Sequence, residues 1–191
     1  PSIELNKSRN KIEFIKDKNR LNLITICRLS KEKSLDIILN AIAKLQDQNI
    51  YLNIVGDGDQ KKYLQMLSKK LNIQKNIIFH GHKKNVFNLL KNSDLYINSS
   101  LFEGFPNSVV EAASVGIPIF FSQSHGGINE ILMNGRCGTF FYDYKDLANK
   151  INSFRKNSLP YKFKAKLAKK NVQKFNEINN LKKYNKLFEK I

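Results

Sequence analysis

The first 20 residues show no apolar period, but from residue 21 short apolar runs alternate with segments whose apolar positions recur every three or four residues. Residues 21–27 (Leu-Asn-Leu-Ile-Thr-Ile-Cys) are apolar and β-rich, the composition of a strand covered on both faces. Leu35, Ile38, Leu39, Ile42 and Leu45 then mark one stripe of a helix. Residues 51–55 predict a second strand, stopped by Gly56-Asp57-Gly58-Asp59, and Tyr63, Leu64, Leu67 and Leu71 predict a second helix. Further strands are expected at 77–79, 95–98, 117–121 and 139–142, and helices at 86–90, 106–115, 128–133 and 146–154. Strands and helices alternating at this interval mean a parallel sheet covered on both faces. Right-handed crossovers then give an α/β, Rossmann-like doubly wound parallel sheet of about six strands.

After Pro160 the alternation stops. Phe163, Leu167, Ala168, Val172 and Phe175 fall on one broad side of a helix, with Lys162, Lys166, Lys169 and Lys170 on the other; Leu181, Tyr184, Leu187, Phe188 and Ile191 form a final helical stripe. Both helices, within residues 160–191, are expected to pack on the sheet as part of one domain spanning 21–191. Residues 1–20 are expected to be a linker. The chain lacks an initiator Met, and we expect it to be a segment of a larger protein.

Composition narrows the picture. A length of 191 residues suits one well-buried core, and 41% hydrophobic with 26% charged residues is ordinary for a packed domain. No stretch approaches the roughly 20 apolar residues of a membrane span, and the polar opening lacks the apolar core of a signal peptide, so a cytoplasmic location is expected. Cys27 and Cys137 sit in apolar surroundings without CxxC spacing and read as reduced core residues. Net charge is +17, of which +11 falls in residues 150–191, where thirteen Lys or Arg face only Glu177 and Glu189. A basic face of this kind attracts anionic headgroups or nucleic acid.

In an open parallel sheet, ligands bind beyond the carboxyl ends of the strands, where helix N-termini offer free N–H groups. Four such turns carry polar or glycine signals: Arg28-Leu29-Ser30 with Lys33, Gly56-Asp57-Gly58, residues 99–107, and His125-Gly126-Gly127. The third leads into a helix whose first turn is expected at Pro106, where a missing N–H costs nothing. Glu103 lies on the rim loop, Glu111 about one turn into the helix, and amide donors lie between them. Carboxylates at each end can accept from hydroxyls while phosphates rest on the helix N-terminus, a layout suited to a nucleotide-sugar.

The string Glu103-Gly104-Phe105-Pro106-Asn107-Ser108-Val109-Val110-Glu111, continuing to Gly116-Ile117-Pro118, resembles the signature of retaining glycosyltransferase family 4 enzymes of the GT-B fold. Arg28 with Lys33 is similar to that family's phosphate-binding pair, Gly56-Asp57-Gly58 to its glycine turn, and His125-Gly126-Gly127-Ile128 to its sugar and phosphate loop; about residues 21–156 match in order and spacing. The resemblance implies a donor-binding domain that works with an N-terminal acceptor domain, uses no metal or cofactor, and takes a nucleoside-diphosphate sugar as substrate. It implies Arg28 and Lys33 neutralising the diphosphate, and Glu103 accepting from hydroxyls of the transferred sugar. Glu111 would hold the ribose, and phosphate or sugar would contact Gly56, Phe105, Pro106, Asn107, Ser108, His125, Gly126, Gly127 and Ile128, in part through backbone N–H groups.

Two positions depart from the family pattern, Cys27 and Ser34, where glycine is usual. Asp57-Gly58-Asp59 mimics the metal-binding Asp-x-Asp of the other large glycosyltransferase fold and is set aside because its flanks fit the GT-B pattern. His80 and His82 read as structural or rim residues. The charge alone motivates a rival, a basic nucleic-acid-binding module, but the aromatics fall mainly in core positions and no single-strand platform is evident, so nucleic acid is not an expected partner. A sugar-nucleotide enzyme of the same fold, such as an epimerase, is the other alternative. The +11 segment leads us to expect an anionic membrane surface as a partner.

Overall fold

A computed structural model of the chain describes residues 19–122 and 125–175. The linker expected at 1–20, apart from its last two residues, and the helix expected at 181–191 lie outside the described residues. Six strands form one parallel sheet: β1 (Leu21–Ile26), β2 (Ile50–Val55), β3 (Ile77–Gly81), β4 (Leu95–Asn98), β6 (Ile119–Ser122) and β8 (Thr139–Phe141), in the order β3-β2-β1-β4-β6-β8. Between them run α1 (Leu35–Leu45), α2 (Lys61–Lys70), α3 (Phe87–Lys91), α4 (Asn107–Val115), α5 (Ile128–Ile131), α6 (Tyr144–Lys156) and α7 (Leu159–Asn171). Two two-residue strands, β5 (Phe102–Glu103) and β7 (His125–Gly126), pair with each other outside the main sheet. The doubly wound Rossmann-like expectation therefore holds.

Alternation along the central strand explains the layers. Leu21 and Leu23 of β1 point to one face and pack with α1, α2 and α6, while Ile24 joins a second cluster built from α3, α4, α5 and α7. Both faces are covered, so β1 is apolar without a polar side, as a central parallel strand must be. Burying a Leu or Ile side chain contributes about 1.5–3 kcal/mol, and some forty apolar residues are buried in this way. The polar exceptions are bonded save for Nδ1 of His80, a buried side-chain atom without a partner among the described residues. Asn53 on β2, 1% exposed, donates to the Leu23 carbonyl at 3.1 Å and sits 2.9 Å from Nε2 of His80, whose buried ring is pushed toward the neutral form. Helix α6 begins with a reciprocal cap, in which Asp143 accepts from the Asp146 N–H while the Asp146 carboxylate accepts from the Tyr142 N–H.

The structure corrects three expectations. Pro106 has ψ 93°, extended rather than helical, so it is the N-cap of α4 and the helix starts at Asn107. Helix α7 begins before Pro160, at Leu159, and gives way to a 3₁₀ turn over Val172–Phe175. Its buried side is Ala165 and Ala168, followed by Val172 in the turn, whereas Phe163 and Leu167, expected with them, face solvent. Small residues let α7 approach α4 closely, and this decides which side packs.

Candidate functional site

The strand order reverses at β1, whose neighbours β2 and β4 continue in opposite directions, so the loops after β1 and β4 diverge and leave a crevice at the carboxyl edge. Polar bonds hold the two loops together across that crevice. Ser99 Oγ donates to the Lys33 carbonyl at 2.7 Å, the Leu101 N–H donates to the Glu32 carbonyl at 2.9 Å, and from the other side Ser122 Oγ donates to the Ser100 carbonyl at 2.8 Å. At the centre, Glu103 is only 12% exposed, and its Oε1 accepts from Lys33 Nζ at 2.8 Å, Ser100 Oγ at 2.6 Å and Asn98 Nδ2 at 3.3 Å. A carboxylate so buried needs this set of donors to offset its lost hydration.

Glycines make the close approaches. Gly126, at φ 117°, pairs with Glu103, and a Cβ there would lie 1.7 Å from the Glu103 carbonyl oxygen. The Gly127 N–H donates to the Gly104 carbonyl at 2.7 Å, so it is occupied. Gly56, at φ 136°, and Gly58 pack directly beneath the loop after β1, where a Cβ would meet the carbonyl oxygens of Cys27 at 1.9 Å and Leu29 at 2.4 Å. Their role in this arrangement is to let the β2 turn seat the Arg28 loop.

Ser34 explains one departure from the family pattern. It adopts φ 45°, ψ 45°, the left-handed region that glycine enters at no cost, which is why glycine is usual there. Burial pushes the Cys27 thiol up to about 12, a packed rather than reactive group.

The second glutamate has different surroundings. Glu111 is half-buried on α4, no hydrogen-bond donor among the described residues reaches its carboxylate, and burial raises its pKa above the usual carboxylate range. At the start of the same helix no side chain caps the Asn107 and Ser108 N–H groups, while Val109 and Val110 already donate to the Pro106 carbonyl. The Ser108 hydroxyl accepts from the buried Tyr96 hydroxyl at 2.9 Å, which holds the first turn to β4. Open amides with the helix dipole behind them suit an anion.

The expected residues therefore divide. Lys33 and Glu103 meet, and Gly126, Gly127 and Phe105 gather beside them. Arg28 is exposed and makes no ion pair or hydrogen bond with the described residues, although its charge acts on nearby Glu32. Ile128 is fully buried in the core and can offer a ligand only its backbone. His125 pairs with Phe102 through its backbone. Asn98, Ser100 and Tyr96 were not anticipated; the polar Asn-Ser-Ser run closing an apolar strand was the available signal. A cleft of about 400 Å³ lies beside the β1 loop, lined by Ser30, Lys31, Ser34 and Tyr63 among others, and neither glutamate lines it. Among the described residues no group of three His, Cys, Asp or Glu side chains could hold a metal ion.

The glycosyl transferases group 1 family model matches residues 6–174. The chain belongs to that family. Its sequence is similar to a glycosyltransferase of Methanocaldococcus jannaschii, 38% identical over 117 residues, covering 60% of this chain and 29% of the relative. It is also similar to an Escherichia coli galactosyltransferase that the relative's name places on N-acetylglucosaminyl-diphosphoundecaprenol, 32% identical over 101 residues, 52% of this chain and 26% of that protein. The chain thus spans about a third or less of the length of the curated relatives it matches. Its fold is that of a GT-B glycosyltransferase domain: the Anabaena protein HepE, solved with UDP-glucose, superposes with TM-score 0.82 at 24% identity, over 91% of this chain and 50% of that one. A pneumococcal O-GlcNAc transferase solved with UDP and GlcNAc gives TM-score 0.77 at 21% identity, over 91% and 37%.

Proposed function

We propose that this chain is the donor-binding half of a retaining, family 4 glycosyltransferase that moves a hexosyl-type residue from a nucleoside-diphosphate sugar to a glycan or lipid-linked acceptor. The observation that carries the reading is the pairing of Lys33 with Glu103 at the switch point, on the loop that leads into the open α4 N-terminus, with Glu111 one turn into that helix and without a hydrogen-bond partner among the described residues. The diphosphate rests on the Asn107 and Ser108 amides, Glu111 accepts from the ribose hydroxyls, and Glu103 accepts from the transferred sugar. Lys33, shared between Glu103 and phosphate, with exposed Arg28 beside it, offsets charge on the departing diphosphate. No metal or cofactor is needed, because side-chain cations and a helix terminus supply the positive field. The acceptor site belongs to a separate N-terminal domain, so this chain alone binds donor weakly and transfers little.

Relatives named for undecaprenol-linked acceptors support a place in bacterial surface polysaccharide or glycoconjugate synthesis at the cytoplasmic side of a membrane. No helix among the described residues is long and apolar enough to cross one. Peripheral association through the basic C-terminal segment fits that setting.

Calorimetric titration with UDP, GDP and their sugars, with and without EDTA, tests the reading. Saturable binding to one nucleotide series is expected, unchanged by EDTA and weakened in Glu111→Ala. No saturable binding, or full binding by Glu111→Ala, would defeat it.

A further inference from the structure

Helix α7 turns its small residues inward: Ala165 and Ala168 are buried, and Ala168 joins the cluster that contains α4. On the opposite side it leaves Leu159 73%, Phe163 65% and Leu167 37% exposed. Spaced by four residues, these side chains form a drifting stripe about 80° wide and about 12 Å long. Exposed Lys162, Lys166, Lys169 and Lys170 flank it, and the helix carries no Asp or Glu. Lys164 is committed elsewhere, donating to the carbonyls of Gly138 at 2.9 Å and Gly135 at 3.3 Å.

We propose that this outer face of α7 is a docking surface for an anionic lipid bilayer. The inference deepens the membrane association proposed above and rests on it. A polyanion such as nucleic acid would satisfy the lysines and leave Leu159 and Leu167 in water. A bilayer interface takes both sets: the apolar stripe enters the acyl boundary, and lysine stems reach along it to place their ammonium groups among headgroup phosphates. The surface also has a useful position. The turn after α7 ends at Phe175, whose ring meets Phe105 edge-on at 5.2 Å, beside the N-terminus of α4. A bilayer seated on α7 thus runs along one flank of the donor site, where a lipid-linked acceptor would be presented.

The test is flotation of the intact protein with phosphatidylcholine vesicles and with vesicles also containing phosphatidylglycerol. Flotation only with the anionic vesicles is expected. Leu159→Ser with Phe163→Ser should lower partitioning about tenfold or more, as should the glutamine variant of the four lysines. Met66→Ser, which removes a 65% exposed apolar side chain on α2, should leave it unchanged. Nucleotide binding, measured alongside, should be unaffected in all three. If the parent protein does not float with anionic vesicles, floats equally with neutral ones, or binds only random RNA, both the membrane reading and this surface fail. If the parent floats and the Leu159/Phe163 variant floats as well, only the α7 assignment fails. Loss of urea stability in that variant with flotation unchanged would mean another part of the protein covers the stripe, and would equally overturn it.

Discussion

Seven residues separate Glu103 from Glu111, yet the two carboxylates meet opposite surroundings. Glu103 is almost enclosed and accepts from Lys33, Ser100 and Asn98; Glu111 is half-buried and has no donor among the described residues. The first is a knot in the scaffold, so anything that loosens the β5–β7 pairing disturbs it. The second bears a desolvation cost that nothing in the described structure offsets, as a group awaiting a ligand would. Changes near Glu103 should therefore damage fold and chemistry together, and changes at Glu111 should affect ligand binding while leaving the fold intact or slightly more stable.

The largest expected effect is at Gly126. An alanine Cβ would collide with backbone at 1.7 Å, in a φ that L-residues avoid, so Gly126→Ala should cost about 2–4 kcal/mol and abolish donor binding. Gly104→Ala is the contrast, since its Cβ would meet nothing within 4 Å. Urea denaturation of both variants checks this; equal stabilities would show that β5–β7 does not hold Glu103 in place. Next comes the ion pair. Lys33→Ala strips an enclosed carboxylate of its counter-charge and should cost about 1–3 kcal/mol, with the remaining bonds from Ser100 and Asn98 limiting the loss. Adding Glu103→Gln should recover much of that loss, and a double-mutant cycle by thermal denaturation reads the coupling.

Glu111→Gln should reverse the sign. Burial raises the carboxyl pKa in the folded state above its ordinary value of 4.5, so the folded protein holds that proton longer than the unfolded chain. Stability then falls as pH rises from about 4.5 through the raised value. Glutamine removes this slope, so the variant should match the parent in acid and exceed it slightly at neutral pH, the gain being limited by solvent screening of a half-buried group. Nucleotide affinity should drop about tenfold or more. A variant less stable than the parent at pH 7 would mean that Glu111 has a structural partner.

The contrast between the two glutamates was only half legible in sequence. Short apolar runs placed the six main strands to within a few residues, because burial on both faces leaves a continuous apolar signal. The motif likewise placed both glutamates. The Lys33–Glu103 contact joins residues 70 apart, so no local period could announce it. The two-residue strands β5 and β7 are too short to carry a period at all. Helix α7 misled in part: Ala168 and Val172 are buried as expected, but close packing against α4 selects small side chains, and hydrophobicity alone put Phe163 and Leu167 on the side that packs.

The smallest effect should come from Ser34, at the edge of the Lys33 loop. Its left-handed backbone costs a non-glycine residue about 1 kcal/mol. Glycine would remove that strain but give the unfolded chain more freedom, worth about 0.4–1 kcal/mol in the other direction. The Ser34 hydroxyl contributes little in return, since its bond to the Lys31 carbonyl is a long 3.4 Å. Ser34→Gly should therefore change stability by no more than about 0.5 kcal/mol, most of it as a gain. Because Lys33 is held by its own carbonyl's bond to Ser99 as well as by Glu103, donor affinity should stay within about twofold. Urea titration with calorimetry on the same sample measures both. A loss beyond 1 kcal/mol would mean that Ser34 is part of the polar knot around Glu103, and that the boundary between scaffold and ligand site lies further along the β1 loop than its hydrogen bonds indicate.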